Sequence, residues 1–230
     1  MIIKNTPPDS EQELMARCQR LVGLSIAQLA AMCAMKIPQD PLQAKGFLGA
    51  VLEKALVTSA KNAPRPDFVS LGIELKTLPI DSQHRPSEST FVTSIPLLSI
   101  HRQVWELSTC YLKLRRVLWV PIESDTHIPL GHRRVGPAFL WSPHPEDLEI
   151  LRQDWLLLTS MIALGELEHI DARIGTYLQI RPKAAHAKIL CDAFGMHGEK
   201  IKTLPRGFYL RRNFTIKVWC ECMKKLTLPN

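Results

Sequence analysis

Residues Pro66 to Pro79 read P-D-F-V-S-L-G-I-E-L-K-T-L-P, and the reading of this stretch decides the fold. Phe68, Val69, Leu71, Ile73, Leu75 and Leu78 give it the composition of a strand running from Asp67 to Pro79. In a strand, side chains alternate between faces, so Ile73 and Leu75 point to the core while Glu74 and Lys76 share the opposite face. Asp67, directly after Pro66, is expected at the mouth of the same strand. Two carboxylates and an ammonium brought to one end of a sheet suit a hard divalent cation and a water molecule beside a phosphodiester.

The chemistry of phosphodiester hydrolysis asks for these residue types. The attacked phosphate is already negative and gains charge as water adds, so positive charge must stand by both the attacked and the leaving oxygens. An all-oxygen donor set selects Mg²⁺. Asp67 and Glu74 are the expected metal ligands, with the backbone carbonyl of Leu75 as a third oxygen. Lys76 is expected to orient or deprotonate the attacking water, a role that burial and a nearby cation assist by lowering a lysine pKa. Glu53, on a helix just upstream, could approach as a third carboxylate. Each of these has a plainer reading: acids and bases alternate on many solvated strands, and Glu53 with Lys54 could be surface charge.

Outward from this stretch, helical and strand patterns interleave. Ser10 with Glu13 and Ser25 with Gln28 are capping-box spacings that open two helices ending at Gly23 and before Pro38. A third helix is expected from Lys45 to Val57, then an irregular loop over 58–66. Ser89 to Leu98 reads as the strand that closes a hairpin with 67–79 across the turn at 81–88. Arg116 to Ile122 is nearly all apolar, as a strand covered on both faces should be, and belongs at the centre of a sheet. A helix follows on Leu148, Leu151, Trp155, Leu158 and Ile162, closed by Gly165. Tyr177 to Arg181 alternates as a strand, Ala184 to Phe194 reads as a helix ending at Gly195, and 201–214 contains another hairpin. The fold class is mixed α/β, a central mixed β-sheet flanked by helices.

Composition narrows the function. The chain has 230 residues, 46% of them hydrophobic and 22% charged, which excludes a disordered chain. No apolar run approaches the roughly 20 residues of a bilayer span, and Lys4 and Asp9 stand where a signal segment would be apolar. A cytoplasmic protein is expected. Six dispersed cysteines without a CxxC pair, and eight histidines without HExxH, point to buried thiols and away from zinc. The formal charge of +7 is uneven: residues 181–230 hold eleven Lys and Arg against Asp192, Glu199 and Glu221. Such a field attracts a polyanion, nucleic acid first, though a solvated basic surface has the same composition.

Five stretches carry a resemblance to a known family: KGFLGAVLE at 45–53, PDFVSLGIELKTLP at 66–79, KLRRVLWVPIE at 113–123, YLQIRPKAA at 177–185 and TLPRGFYLRRNFT at 203–215. In order and spacing they closely resemble the MutH family of DNA mismatch repair endonucleases, from about residue 10 to residue 216. The resemblance implies a restriction-endonuclease-like fold of the PD-(D/E)xK superfamily. One endonuclease domain of two lobes would form a DNA-binding cleft, with a catalytic lobe over about 1–105 and a basic recognition lobe over about 106–230. It implies a Mg²⁺-dependent enzyme that binds hemimethylated GATC sites and nicks the unmethylated strand on the 5′ side of the guanine. Its activator would be MutL, acting after MutS has found a mismatch, and the enzyme would be a monomer.

Carried onto this chain, the family's catalytic set falls on Glu53, Asp67, Glu74 and Lys76, with Lys113 as a further basic residue near the cleaved phosphate; Lys113 rests on the resemblance alone. Arg181 and Lys183, flanking Pro182, could place a fork and a point charge at base edges in the major groove, and the family reads its tetranucleotide with this loop. Tyr209 matches the residue expected beside the target adenine, where a methyl group would compete with the ring. Read without the family, it is a hairpin aromatic packed on the core. Lys45 and Gly46, at an expected helix start, suit a phosphate or groove contact. Phe91 resembles a cleft or base-stacking residue, and Arg211 and Arg212 are expected to touch phosphates. The segment 218–230 does not follow the family's ending, which leaves the MutL surface unassigned. Two alternatives stand beside the nicking enzyme: a type II restriction endonuclease cutting both strands at GATC-type sites, and a DNA-binding protein without catalysis.

Overall fold

The computed structural model describes residues 6–60, 63–183 and 189–227, with the backbone alone for 41–45 and 225–227. Three helices open the chain, α1 (Glu11–Gln19), α2 (Ile26–Met32) and α3 (Pro41–Leu56). Ser10 Oγ accepts from Glu13 N, and at Ser25 the reciprocal box with Gln28 is complete. The third helix begins four residues before the expected Lys45. Proline fits the first helical position because its missing N–H has no intrahelical partner there anyway.

The strands β1 (Glu74–Ile80), β3 (Val117–Glu123) and β4 (Phe139–Trp141) form a mixed sheet in the order β1-β3-β4. As the apolar run 116–122 requires, β3 is central; six of its seven residues are buried. It pairs parallel with β1, Glu74 opposite Val117, and antiparallel with β4. Arg116, just before β3, is tied to α1 by a two-pronged bond to Glu11, Nε to Oε1 at 2.9 Å and Nη2 to Oε2 at 2.5 Å. Leu14, Leu52, Leu56, Phe68, Ile73 and Leu118 are among the side chains that close the core between these helices and the sheet.

A second sheet is antiparallel, β2 (Thr90–Ser94), β8 (Arg206–Leu210) and β5 (Leu178–Pro182) in the order β2-β8-β5. The expected β1–β2 hairpin does not form: β2 pairs with β8, Phe91 opposite Tyr209. The helix expected over 184–194 is also corrected. Residues 184–188 lie outside the described residues, and Cys191–Phe194 is strand β6, paired with β7 (Lys200–Thr203). Gly195, expected as a helix cap, belongs to the turn of that hairpin, its N–H donating to Glu199 O at 2.8 Å. Successive strands β7 and β8 sit in different sheets, so the hairpin expected within 201–214 is absent too.

Three more helices complete the described chain, α4 (Thr109–Leu114), α5 (Pro145–Ala163) and α6 (Arg212–Thr227). The α5 helix ends two residues before Gly165, which has the left-handed backbone (φ +78°) that the sequence asked of it. No described helix is long and apolar enough to cross a membrane.

Two compact units result, and neither is a single run of chain. One holds 1–88, 115–142 and 218–230; the other holds 89–114 and 143–217. The sequence reading divided the chain once, near residue 105, whereas the chain passes between the units at four points. The cause is visible in the first sheet: β1 and β3 are parallel, and a parallel pair needs a crossover, here the segment that contains β2 and α4.

Candidate nuclease site

The stretch 66–79 is not one strand. Phe68 and Ile73 exchange backbone bonds, Phe68 N to Ile73 O at 2.9 Å and the reverse at 3.3 Å, across a turn in which Gly72 adopts φ +66°. Only Glu74 to Ile80 continue as β1. The turn decides whether a site exists. In a straight strand Asp67 and Glu74 would stand about 23 Å apart, at roughly 3.3 Å per residue. Folded back, Asp67 Oδ2 accepts a hydrogen bond from Leu75 N at 2.8 Å. The other end of Asp67 is fixed as well, its carbonyl accepting from Ser59 N at 2.9 Å and Ala60 N at 3.2 Å.

Along β1 the alternation holds, but both faces are covered. Ile73 and Leu75 are 0% and 7% exposed on one face. On the other, Glu74 is 2% and Lys76 11% exposed, with Lys76 Nζ donating to Glu74 Oε1 at 2.7 Å. A solvated strand would leave such groups in water. Burying an ion pair costs desolvation that its attraction only partly returns, so apolar residues would serve the fold equally well. A carboxylate and an ammonium kept there point to chemistry.

Backbone direction adds a third oxygen. Glu74 N donates to Arg116 O at 3.0 Å, toward β3. In a strand, N–H and C=O of one residue point the same way and alternate with the next. Leu75 therefore turns both groups to the open edge of β1, where its N–H meets Asp67 and its carbonyl stands on the same side. Asp67, Glu74 and the Leu75 carbonyl make an all-oxygen donor set, the kind hard divalent cations take. Among the described residues, no three Asp, Glu, His or Cys side chains gather tightly enough to hold an ion by themselves. A cation here would complete its shell with water, the habit of Mg²⁺.

The remaining expected residues fall in several places. Glu53 is half-buried on α3 and lies back along its own helix, with Oε1 3.9 Å from where a Cβ on Gly49 would stand; it does not join a three-carboxylate group. Gly46 is exposed within α3, past the first turn, so the reasoning from unpaired first-turn N–H groups fails for it. The side chain of Lys45 lies outside what is described. Lys113 is on α4, in the second compact unit.

The second unit gathers most of the expected recognition residues on one sheet. Phe91 and Tyr209 face each other in register, edge to face at 5.2 Å between centroids. Arg181, Pro182 and Lys183 are exposed at the end of β5. Burial raises the Tyr209 phenol above its usual value, and the charge of Arg181 partly offsets this. Arg212 is exposed at the start of α6. Arg211 is held differently, its Nη2 donating to the carbonyl of Ile174 at 2.8 Å and its backbone N to Tyr177 O.

Sequence reading passed over Asp154. This carboxylate, 5% exposed, accepts from the N–H groups of Thr176 (2.7 Å), Tyr177 (2.6 Å) and Leu178 (2.8 Å), fixing the entry to β5. The signal was present: an acid among Leu151, Trp155 and Leu158 on the buried face of α5 must have strong partners.

Oxygen donors beside a largely buried lysine, on a mixed α/β scaffold, are the parts expected of a nuclease of the restriction-endonuclease-like fold. Comparison with known proteins agrees. The family described as "DNA mismatch repair enzyme MutH" matches residues 56–154. DNA mismatch repair proteins MutH of Escherichia coli strains SMS-3-5, O127:H6 and O6:K15:H31 are each 50% identical over 210 residues, covering 91% of this chain and 92% of theirs. The chain belongs to the MutH family.

Proposed function

We propose that this enzyme is a Mg²⁺-dependent endonuclease that nicks the unmethylated strand of hemimethylated GATC sites, 5′ to the guanine, in methyl-directed mismatch repair. The observation that carries the reading is the turn at 67–73, which sets Asp67 against the Leu75 amide beside the buried Glu74–Lys76 pair. Mg²⁺ held by Asp67, Glu74 and the Leu75 carbonyl would supply a Lewis acid that acidifies water and offsets phosphate charge. The protein's own residues do the rest. Glu74 keeps the Lys76 ammonium in one place, and Lys76 donates to the water or to the charge that builds on the phosphate oxygens. Lys113 and Glu53 enter the catalytic set on the family resemblance alone.

Recognition falls to the second unit. Arg181, Pro182 and Lys183 read base edges, Tyr209 and Phe91 stand by the adenine, and Arg211 and Arg212 meet the backbone; Lys45 and Gly46, on α3 of the first unit, are backbone contacts on the family resemblance alone. A single catalytic set on a monomer cuts one strand per binding event, which favours nicking over a restriction enzyme. The family context supplies MutL as activator, MutS upstream of it, and a cytoplasmic place of work on chromosomal DNA. Supercoiled GATC plasmid with Mg²⁺ tests the reaction: open circles should accumulate first. Linear product with no open-circular precursor contradicts nicking, and intact supercoil under all metal conditions contradicts catalysis.

A further inference from the structure

The exposed cations of the antiparallel sheet do not swing freely. Arg181 Nη1 donates to Ser89 Oγ at 2.7 Å, and Lys183 Nζ donates to Ser94 Oγ at 2.8 Å. The same ammonium stands 4.3 Å from the centroid of the Phe91 ring. Beneath that ring is Gly207, on the middle strand, in register with Arg181 on one side and Ser94 on the other. A Cβ at Gly207 would come within 2.8 Å of Phe91 Cε2 and 3.2 Å of the Thr93 carbonyl. The ring can lie over the strand because residue 207 has no side chain. Glycine backbone, aromatic ring and lysine ammonium form three layers, with a serine hydroxyl as a second tether on the ammonium.

We infer that Ser94, with Ser89 and Gly207, is a specificity-determining positioning residue for DNA recognition, a role that rests on Arg181 and Lys183 contacting DNA as proposed above. The physical reason separates specificity from affinity. A loose ammonium is attracted to phosphates wherever it swings, so its contribution to non-specific binding survives without a tether. A hydrogen bond to a base edge exists only where donor and acceptor meet at short range. Long side chains held before binding also lose less freedom when DNA arrives. Ser94 is exposed, so removing its hydroxyl opens no hole in the core.

The test uses the full chain with Mg²⁺ and compares cleavage of a GATC duplex with duplexes altered at one base pair. Ser94→Ala should lower the ratio of cognate to altered cleavage about threefold to fivefold, the value of one modest hydrogen bond. The salt slope of DNA binding should stay that of the parent, and Ser94→Thr, which returns a hydroxyl, should restore the ratio. Lys183→Ala is the companion variant and should depress the ratio at least as far. A parental ratio in Ser94→Ala beside a collapsed one in Lys183→Ala overturns the positioning role and leaves the DNA face standing. A parental ratio in both variants overturns the assignment of this face to DNA. Equal loss on every duplex, with a lowered melting temperature, marks Ser94 as merely structural and also overturns the inference.

Discussion

Replacing Lys76 by alanine perturbs stability and catalysis through the same bond. Glu74 is 2% exposed and its Oε1 accepts from Lys76 Nζ at 2.7 Å; the lysine itself is 11% exposed. Taking one partner from a pair this buried strands much of the other's charge in a poorly solvated place, a loss of about 3 kcal/mol. For a chain of this size that lowers the melting temperature by roughly 6 to 12 °C, at about 2 to 4 °C per kcal/mol. Removing both charges behaves differently. Glu74→Gln with Lys76→Met trades the pair for groups of similar volume without the desolvation cost, so the double variant should melt within about 3 °C of the parent or above it. Neither variant should cleave, while both should bind GATC duplex. Thermal melts at neutral pH, gel-shift titration and Mg²⁺-dependent plasmid cleavage read the three quantities. If Lys76→Ala melts like the parent and still cleaves, the pair is neither buried as described nor part of the chemistry. If the double variant is the least stable of the set, the pair is there for the fold, and the argument from its burial fails.

Other consequences can be checked independently. Asp154→Ala removes the acceptor of three backbone N–H groups in a nearly buried place and should cost about 3 kcal/mol or more; a chemical-denaturation midpoint equal to the parent's would refute it. Burial pushes the Cys18 thiol from its ordinary 9.0 up to about 12. Since the folded value is the higher one, the contribution is complete below pH 9 and is lost as pH rises toward 12, at about 1.4 kcal/mol per pH unit. Cys18→Ala should therefore flatten the alkaline limb of a stability–pH curve, and an unchanged limb would refute the burial. Tyr209→Ala should blur cleavage rates among unmethylated, hemimethylated and fully methylated GATC duplexes; equal discrimination before and after the change would retire its role beside the adenine.

How far the sequence alone could reach depended on whether the deciding interaction was local. The Ser25–Gln28 box and the apolar run of β3 are local, and both stand as read. The start of α3 was legible too, since Asp40-Pro41 has the pattern of a cap followed by proline at the first position, yet the helix was expected only from Lys45. The turn at 69–72 was hidden because Phe68, Val69 and Leu71 all favour strands, leaving Gly72 as its one local sign. Pairing was the least legible: β2 follows β1 by a short turn, yet its partner β8 lies more than a hundred residues on. Nothing local marks such a choice, which is settled by which faces can be buried together. For the site, Glu74 and Lys76 were placed on a common face from period alone. How Asp67 comes to stand by Leu75 depended on the unseen turn, and the tethers on Arg181 and Lys183 depended on the unseen β2–β8 pairing.

Strand-resolved cleavage of a hemimethylated GATC duplex, each strand labelled separately, with and without Mg²⁺, tests the central claim most directly. The account predicts one cut, in the unmethylated strand, 5′ to the guanine, that needs the metal and vanishes in Asp67→Ala, Glu74→Ala and Lys76→Ala. Cleavage of either strand that survives those three substitutions would contradict it.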